Sequence, residues 1–564
     1  MIGRQFKLER QRLAHRRRRI ILNNDGDDFY HAENLTSAGQ FLAQRFEGLE
    51  NTHVDTVSYC VIGGFPLGQH HSKVCDAPGL PGRDSILAPH AWDDPRMFFE
   101  GRDCLEIVSD FCRRHDIEVW ASIRMNDNHD QWTKARRTPW KNDHPERWLA
   151  QPPDLGGGIE EKCFWISEAA LAHPARWIAR GSYCRYYGAN YERADVRDKM
   201  FEMIEDVCRR YDLDGIELDF LRNSSLFGAT ARGEPDVGDE NRALLTDLIR
   251  RIRVMTEEVG LKRGRPMVIA VRVPDDPGLA SAYGMDTPRW LSEELIDIII
   301  AGESARIRPW KEFVALGHSH GVPVYACACE IYTQDVRSIR GRALAVLAAG
   351  ADGIYTFNHF DPKSPIWREM GDTGLLTRQE RITPVCNAII RAYSWNAIYL
   401  MPDVERFLAR PPRLPLELPD GRPCTFEFEA GEQGADIAVS PTPYAALCLR
   451  FGLLEAEDTI EIALNGKPLH GRRDLPAPGW ITCADVAPAL RWGDNVLTLT
   501  ARAPRREGNP PPRLVDMELR ISAKPENMRE TGTANHGVFR QAKGLWPRNR
   551  LTINDATGTG WRVE

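Results

Sequence analysis

The basic N-terminal segment of this sequence is not followed by a hydrophobic run of any length. The apolar stretch Ile20-Ile21-Leu22 is three residues long and leads directly into Asn23-Asn24-Asp25. A cleavable signal needs about 7–15 apolar residues and a membrane span about 20, so neither is expected, and no membrane partner is implied. An excess of charge of one sign is missing too. Lys and Arg total 73 against 80 Asp and Glu, a net charge of −7, which gives no reason to expect nucleic acid or an anionic surface as partner. Spaced cysteine pairs are also lacking. The 13 cysteines are odd in number and scattered, and Cys327 and Cys329 stand one residue apart, too close for a Cys-x-x-Cys zinc or redox motif. Reduced thiols in a cytoplasmic protein are the expectation. No Gly-rich phosphate loop follows a strand and there is no Gly-x-Ser-x-Gly elbow, which leaves nucleotide and serine-esterase chemistry without support.

What is present is an ordinary globular composition, 42% hydrophobic and 27% charged over 564 residues, ample for one large domain and a smaller one. The cluster His15 to Arg19, with Arg4, Lys7, Arg10 and Arg12 before it, reads as a solvated basic tail. After it, short Val- and Ile-rich runs alternate with helical periodicity. The runs are Arg19–Asn24, Val54–Ile62, Ile117–Met125, Leu213–Leu221, Pro266–Val273, Leu295–Gly302, Val322–Cys329 and Ala351–Phe357. Between them lie helix-patterned segments such as Val196–Tyr211, Asn241–Glu258 and Val336–Ala349. Eight such repeats within about 400 residues predict an α/β fold, a (β/α)8 TIM barrel. A doubly wound open sheet is the rival.

The fourth run shows what the barrel would do chemically. In Leu213-Asp-Gly-Ile-Glu-Leu-Asp-Phe-Leu221 the side chains alternate, so Ile216, Leu218 and Phe220 share one face, with Gly215, Glu217 and Asp219 on the other. If the apolar face packs under helices, two carboxylates point into the barrel near its C-terminal end. Burying two like charges side by side is costly, and a barrel that needed only filling would carry Val or Leu there. The connection after the third strand, from Asn126 to about Ala194, is far longer than a typical barrel loop. It carries Trp132, Trp140, Trp148, Trp165, Trp177, Tyr183, Tyr186, Tyr187 and Tyr191. Most of these should form the loop's own core, with one or two left for stacking on a sugar.

Beyond residue 400 the texture changes. A proline-rich linker or edge, Arg410–Pro419, leads to short alternating segments at Cys424–Glu429, Ala446–Leu453, Asp458–Leu464, Asn495–Ala501 and Leu514–Ile521. Asn465-Gly466 and Gly493-Asp494 read as turns between them, so the pattern is a smaller all-β sandwich. The expected division is a tail over 1–18, a barrel over 19–400, a sandwich over 401–525 and an extension over 526–564.

The stretch Tyr191–Phe220, YERADVRDKMFEMIEDVCRRYDLDGIELDF, resembles the hallmark of the family ten-like glycosyl-hydrolase-like barrel proteins. There a helix beginning near Val-Arg leads to Tyr-Asp-x-Asp-Gly-Ile and a strand ending in Asp; here these are Val196, Arg197, Tyr211, Asp212, Asp214, Gly215, Ile216 and Asp219. A chitinase-type Asp-Gly-Ile-x-x-Asp barrel would place a catalytic Glu where this chain has Leu221, so that mechanism is set aside. The segments Asp458–Leu469, Asp485–Leu490 and Trp492–Thr500 look like the galactose-binding-type jelly roll found beside many such barrels, where it braces the barrel or contributes to a homo-oligomer. The resemblance implies a carbohydrate substrate.

Glycoside hydrolysis usually needs two carboxyl groups flanking the scissile bond, supplied on a barrel by the ends of different strands. Asp219 is the first choice for one, with Glu217 below it. For its partner, Glu330 is taken first, because it follows the seventh strand in phase with the small residues Ala326 and Ala328; Glu303, ending the sixth strand, comes second, with Asp275, Asp276 and the residues after the third strand behind them. Arg124 and Asn126 end the third strand and Arg272 the fifth. An arginine beside Asp219 would keep it ionised, as a nucleophile or base requires. Asn23, Asn24 and Asp25 end the first strand and Asn358 and His359 the eighth, and all are suited to sugar hydroxyls. Two rivals stand beside this reading. A metal-dependent hydrolase would call for a His-x-His at the end of the first strand, where this chain reads Asn-Asn-Asp-Gly-Asp-Asp; no metal or other cofactor is expected. A non-catalytic carbohydrate-binding or scaffold barrel would keep the acids as ion pairs.

Overall fold

A computed structural model describes residues 3–26, 28, 37–76, 99, 101–128, 138–150, 187–221, 223–232, 234–302, 308–329, 335–384, 414, 416–473, 479–502, 510–524, 551–553 and 561–563. Eight parallel strands close into a barrel in sequence order: β1 (Ile20–Asn24), β2 (Val54–Ile62), β3 (Glu118–Arg124), β4 (Gly215–Asp219), β5 (Val268–Val273), β6 (Ile298–Ala301), β7 (Val324–Cys329) and β8 (Gly353–Phe357). The ring is completed by β8 pairing with β1. All eight expected runs are strands of this barrel, and the open-sheet alternative is excluded. The described strands are shorter than the apolar runs at several N-terminal ends, since apolar residues continue into the turn that precedes each strand.

Strand alternation divides the barrel into two apolar layers. Ile216, Leu218 and Phe220 lie in the outer core with the surrounding helices, among them Ala194–Arg210 and Gly238–Arg263. Ile21, Trp120, Val268, Ala270, Ile298, Ile300, Tyr325, Cys327, Tyr355 and Phe357 fill the interior. On β7 the alternation runs opposite to the expectation. Tyr325 and Cys327 point inward, while Ala326 and Ala328 belong to the helix-side core. Both faces of a barrel strand are buried, so small size does not distinguish inside from outside. The pairing of β7 with β8 is also irregular between Cys327 and Cys329.

The N-terminal segment is not a solvated arm. Arg4–Ala14 is a helix; its Lys7 donates to Glu294 at 3.1 Å and its Arg10 is buried against the end of the barrel where the strands begin, while Arg12 is exposed and pairs with Glu9 of the same helix. Arg18, fully buried, donates to both oxygens of Glu118 at 2.6 and 2.8 Å and lies 5.2 Å from the Trp120 ring. Arg10 pairs with Glu257 and, at 3.1 Å, with Asp297. A run of basic residues looks solvated when its acidic partners lie 100 or more positions away.

The C-terminal part forms two antiparallel sheets around a core of their own. One has the order β10 (Leu416–Glu417), β18 (Arg513–Ser522), β12 (Tyr444–Gly452), β16 (Trp480–Ala484), β15 (Gly471–Arg473), with β9 (Arg381–Pro384) added on β18. The other runs β11 (Pro423–Gly431), β17 (Trp492–Arg502), β13 (Thr459–Leu464), β14 (Lys467–Leu469). Phe426, Leu449, Ile462, Leu497 and Met517 are among the side chains buried between them. Asn465 and Gly466 both have positive φ, 51° and 79°, and form the hairpin turn between β13 and β14. Gly493-Asp494 is not a turn: both residues lie within β17, opposite Ala430 and Glu429.

The two parts are fused through the helix Val336–Ala348. A Cβ on Gly341 would stand 2.2 Å from the carbonyl oxygen of Ile382, and one on Gly431 would meet Leu344 at 2.5 Å, so glycine permits the close approach on both sides. Arg381 on β9 and Glu432 after β11 form a buried ion pair across this seam. Among the described residues no helix is long and apolar enough to cross a membrane. Cys75, Cys104, Cys112, Cys208, Cys424 and Cys483 are free thiols.

Candidate active site

The C-terminal mouth of the barrel is built around β4. Its Asp219 is in register with Arg124 on β3 and Arg272 on β5, and Glu217 with Ser122 and Ala270. Two inner layers result, an upper one where Asp219 stands between two arginine-bearing strands and a lower one centred on Glu217.

In the upper layer Asp219 is 1% exposed. One carboxylate oxygen accepts from the backbone N–H of Leu221 at 2.9 Å, and the other from Arg272 Nη1 at 3.2 Å. A buried carboxylate with a guanidinium and an amide on separate oxygens is held in one orientation. Arg272 is itself fixed, its guanidinium lying 5.1 Å from the Tyr355 ring centre and 4.6 Å from that of Phe357. Arg124 donates to Asp127 at 2.9 Å and stands 3.2 Å from Asp25.

In the lower layer Glu217 is fully buried. Tyr355 OH donates to its Oε1 at 2.8 Å, Ser58 donates to its Oε2, and Asn23 Nδ2 lies 3.3 Å from Oε2. Burial first, and then the neighbouring charge of Asp219, raise the Glu217 pKa above its ordinary value; Arg272, Ser58 and Tyr355 oppose this. Two carboxyl groups two positions apart on one strand resist being ionised together. Burial and the Glu217 carboxyl in turn push the Tyr355 phenol well up, so Tyr355 remains the donor.

The other expected site residues divide into those at the mouth and those that brace it. Asp25 accepts from Asn358 Nδ2 at 2.5 Å, and its own N–H donates back to Asn358 Oδ1 at 3.0 Å. These two tie the ends of β1 and β8 together beside Arg124. Asn24 sits on the outer phase of β1 and accepts from the N–H of Gly26 at 2.9 Å; its neighbour Asn23 is the inward residue. Asn126 donates to the carbonyls of Ala189 and Ser225 at 3.0 and 2.7 Å and accepts from Ala189 N–H at 2.8 Å. It is a loop brace rather than an open hydroxyl-binding group. His359 packs edge-on against Trp367 at 5.2 Å, on the helix side of β8, and its burial lowers its pKa to about 4. Glu303 and Glu330 lie outside the described residues, as do Trp132, Trp165, Trp177, Tyr183 and Tyr186. The described aromatics of the third loop pack on one another and on the barrel: Trp148 against Tyr187 at 4.9 Å, and Trp140 against Phe65 at 5.4 Å. Among the described residues no three His, Cys, Asp or Glu side chains are grouped to hold a metal ion.

Tyr355, Ser58 and Phe357 were absent from the sequence-based site. Their signal was available in alternation. Once β8 is set with Phe357 inward, Tyr355 follows two residues below it, and Ser58 holds the inward phase of β2. Attention to strand ends alone passes over both.

No protein-family model matches the chain, and no curated protein matches it either. Among solved structures it is similar to the glycoside hydrolase domain of PgaB (BpsB) from Bordetella bronchiseptica. The identity is 13%, over 63% of this chain and 98% of that one, with a TM-score of 0.39. It is similar also to alpha-L-fucosidase isoenzyme 2 from Paenibacillus thiaminolyticus (13% identity, 64% and 48% covered, TM-score 0.34). A third is the GH36 alpha-galactosidase AgaA from Geobacillus stearothermophilus (11%, 90% and 56%, TM-score 0.34). The chain spans about half the length of the latter two. The fold assignment rests on the strand pairing described above.

Proposed function

We propose that the chain is a glycoside hydrolase acting on an oligo- or polysaccharide through a pair of carboxyl groups, of which Asp219 is one. The observation that carries the reading is the setting of Asp219: the last residue of β4, inside the mouth of a closed barrel, with Arg272 and the Leu221 amide on its two oxygens. A carboxylate so held suits the nucleophile or the base of glycoside cleavage, which must be charged and aimed before substrate arrives. Glu217 then serves as a positioning residue. It anchors Tyr355, over whose ring Arg272 lies.

The second carboxyl group is assigned to Glu303 or Glu330, after β6 and β7. The inward phase that favoured Glu330 rested on Ala326 and Ala328, which face the helices, so the two glutamates stand level. Asp25, 3.2 Å from Arg124, is proposed to meet a substrate hydroxyl. A screen of aryl glycosides and oligosaccharides tests this, run on the wild-type chain with Asp219→Asn, Glu303→Gln and Glu330→Gln beside it. Release from at least one glycoside, abolished by Asp219→Asn and by one glutamine variant, supports the reading. A wild-type chain that cleaves none of them sinks it.

A further inference from the structure

Where the barrel meets the β domain there is a concavity of about 340 Å³, within the range of small-molecule sites. Its lining comes from both parts: Thr377 and Arg378 from the barrel side, Gln433, Asp436 and Ser440 from the segment after β11, and Trp492 at the start of β17. It lies toward the end of the barrel opposite Asp219. The helix Thr373–Leu376 that borders it follows Gly371, which packs on Arg19 just before β1.

We propose that this seam is a second carbohydrate site, taking a neutral pyranose unit of a polysaccharide with the Trp492 ring as its platform; the proposal rests on the reading of the barrel as a glycan-cleaving domain. Tryptophan is ordinarily well covered, yet Trp492 is 41% exposed, and Val439 on the same lip is 86% exposed. The backbone that carries the ring is anchored: Trp492 pairs with Gly431 across β11 and β17, and its backbone N–H donates to Gln433 Oε1 at 3.2 Å. An aromatic face held at the edge of a shallow cavity matches the apolar C–H face of a sugar ring.

The polar lining fits the other half of a sugar. Arg378, Gln433 and Asp436 are exposed; Arg378 and Asp436 carry planar forked groups that can bond two adjacent hydroxyls at once, and Gln433, whose Oε1 accepts from Trp492, offers its Nε2 as a donor. The floor is the buried pair of Arg381 and Glu432, with Thr442 Oγ1 at 3.5 Å from Arg381. Arg378 and Arg381 are balanced by Asp436 and Glu432, so the lining has no net charge to select an anion, and its polar rim is unsuited to a lipid chain. An anchor at the far end of the barrel would raise the effective concentration of a long glycan at the mouth without touching the chemistry.

The test is affinity electrophoresis of the full chain in native gels containing soluble galactomannan, xyloglucan, starch or dextran. The proteins compared are wild type, Trp492→Ala and Arg378→Ala, each first checked by thermal melting. At least one polysaccharide should retard the wild type, and the dissociation constant should rise about tenfold in Trp492→Ala, as for loss of an aromatic anchor. Arg378→Ala, at an exposed position, should weaken retardation in the same gel and serves alone if Trp492→Ala does not fold. Turnover of a small aryl glycoside should be unchanged in both. Retardation by none of the gels, or equal retardation of all three proteins, overturns the proposal. Normal retardation in a chain that cleaves no glycoside would count against the hydrolase reading and leave the seam site standing.

Discussion

The hydroxyl of Tyr355 on β8 donates to the carboxyl of Glu217 on β4 at 2.8 Å, joining two strands that stand opposite each other in the eight-stranded ring. That bond crosses the barrel interior beneath Asp219 and fixes the aromatic ring on which Arg272 rests.

Glu217 makes stability depend on pH in a defined direction. Its folded-state pKa is raised from 4.5 by burial and by Asp219. Below pH 4.5 folded and unfolded chains both hold the proton; as pH rises above it, the unfolded chain releases the proton first and the folded state loses stability. Glu217→Gln removes this loss. Urea melts should therefore show the variant gaining on wild type from pH 4.5 towards neutrality, by about 1–3 kcal/mol. A difference that stays constant with pH contradicts the shift.

His359 works the other way. Burial lowers its pKa from 6.5 to about 4, so as pH falls through that window the unfolded chain takes up a proton that the folded chain refuses, and stability is lost. His359→Gln should flatten the acid side of the stability profile between pH 6.5 and 4. Between 4.5 and 6.5 the His359 and Glu217 contributions oppose each other, so the single variants should tilt the wild-type curve in opposite directions.

Arg272 is paired with Asp219 and stacked on two rings. Arg272→Met leaves a buried carboxylate without its partner and should lower stability by about 3–5 kcal/mol in denaturant unfolding. Arg272→Lys keeps the charge but not the planar fork; it should fold and lose turnover, with kcat falling more than KM rises. A lysine variant with wild-type kcat would show that Arg272 serves only packing.

At the other end of the barrel, Arg18→Met strands Glu118 inside the fold and should cost about 3–5 kcal/mol of stability. Because this pair lies at the N-terminal ends of the strands, kcat on any cleaved glycoside should not change. A stable Arg18→Met protein would mean that the N-terminal helix is held by other contacts.

The strands were legible because a parallel barrel buries both faces of each one, leaving short Val and Ile runs that stand out from the helices between them. The one strand that departs from this, β4, exposed Glu217 and Asp219 as misplaced charges, and alternation alone put them inside. Other features were hidden by the same physics. With both faces of β7 apolar, Ala326 and Ala328 carried no mark of facing outward. Arg10 of the first helix and Arg18 after it find acids far along the chain, so nothing local distinguishes them from a solvated tail. Gly493 resembles a turn residue but lies within β17, one residue from its start and opposite Ala430, where only the pairing reveals it. The division between Asn23 and Asn24 turned on a phase that the sequence leaves open at a strand end.

The most direct test of the account is kcat of Asp219→Asn against wild type on the best glycoside found, with matched thermal melts to show that both chains are folded. The expected loss is at least about 10²–10⁴-fold, the range for removing a carboxylate that acts at the reacting bond. A folded Asp219→Asn chain with wild-type kcat would contradict it.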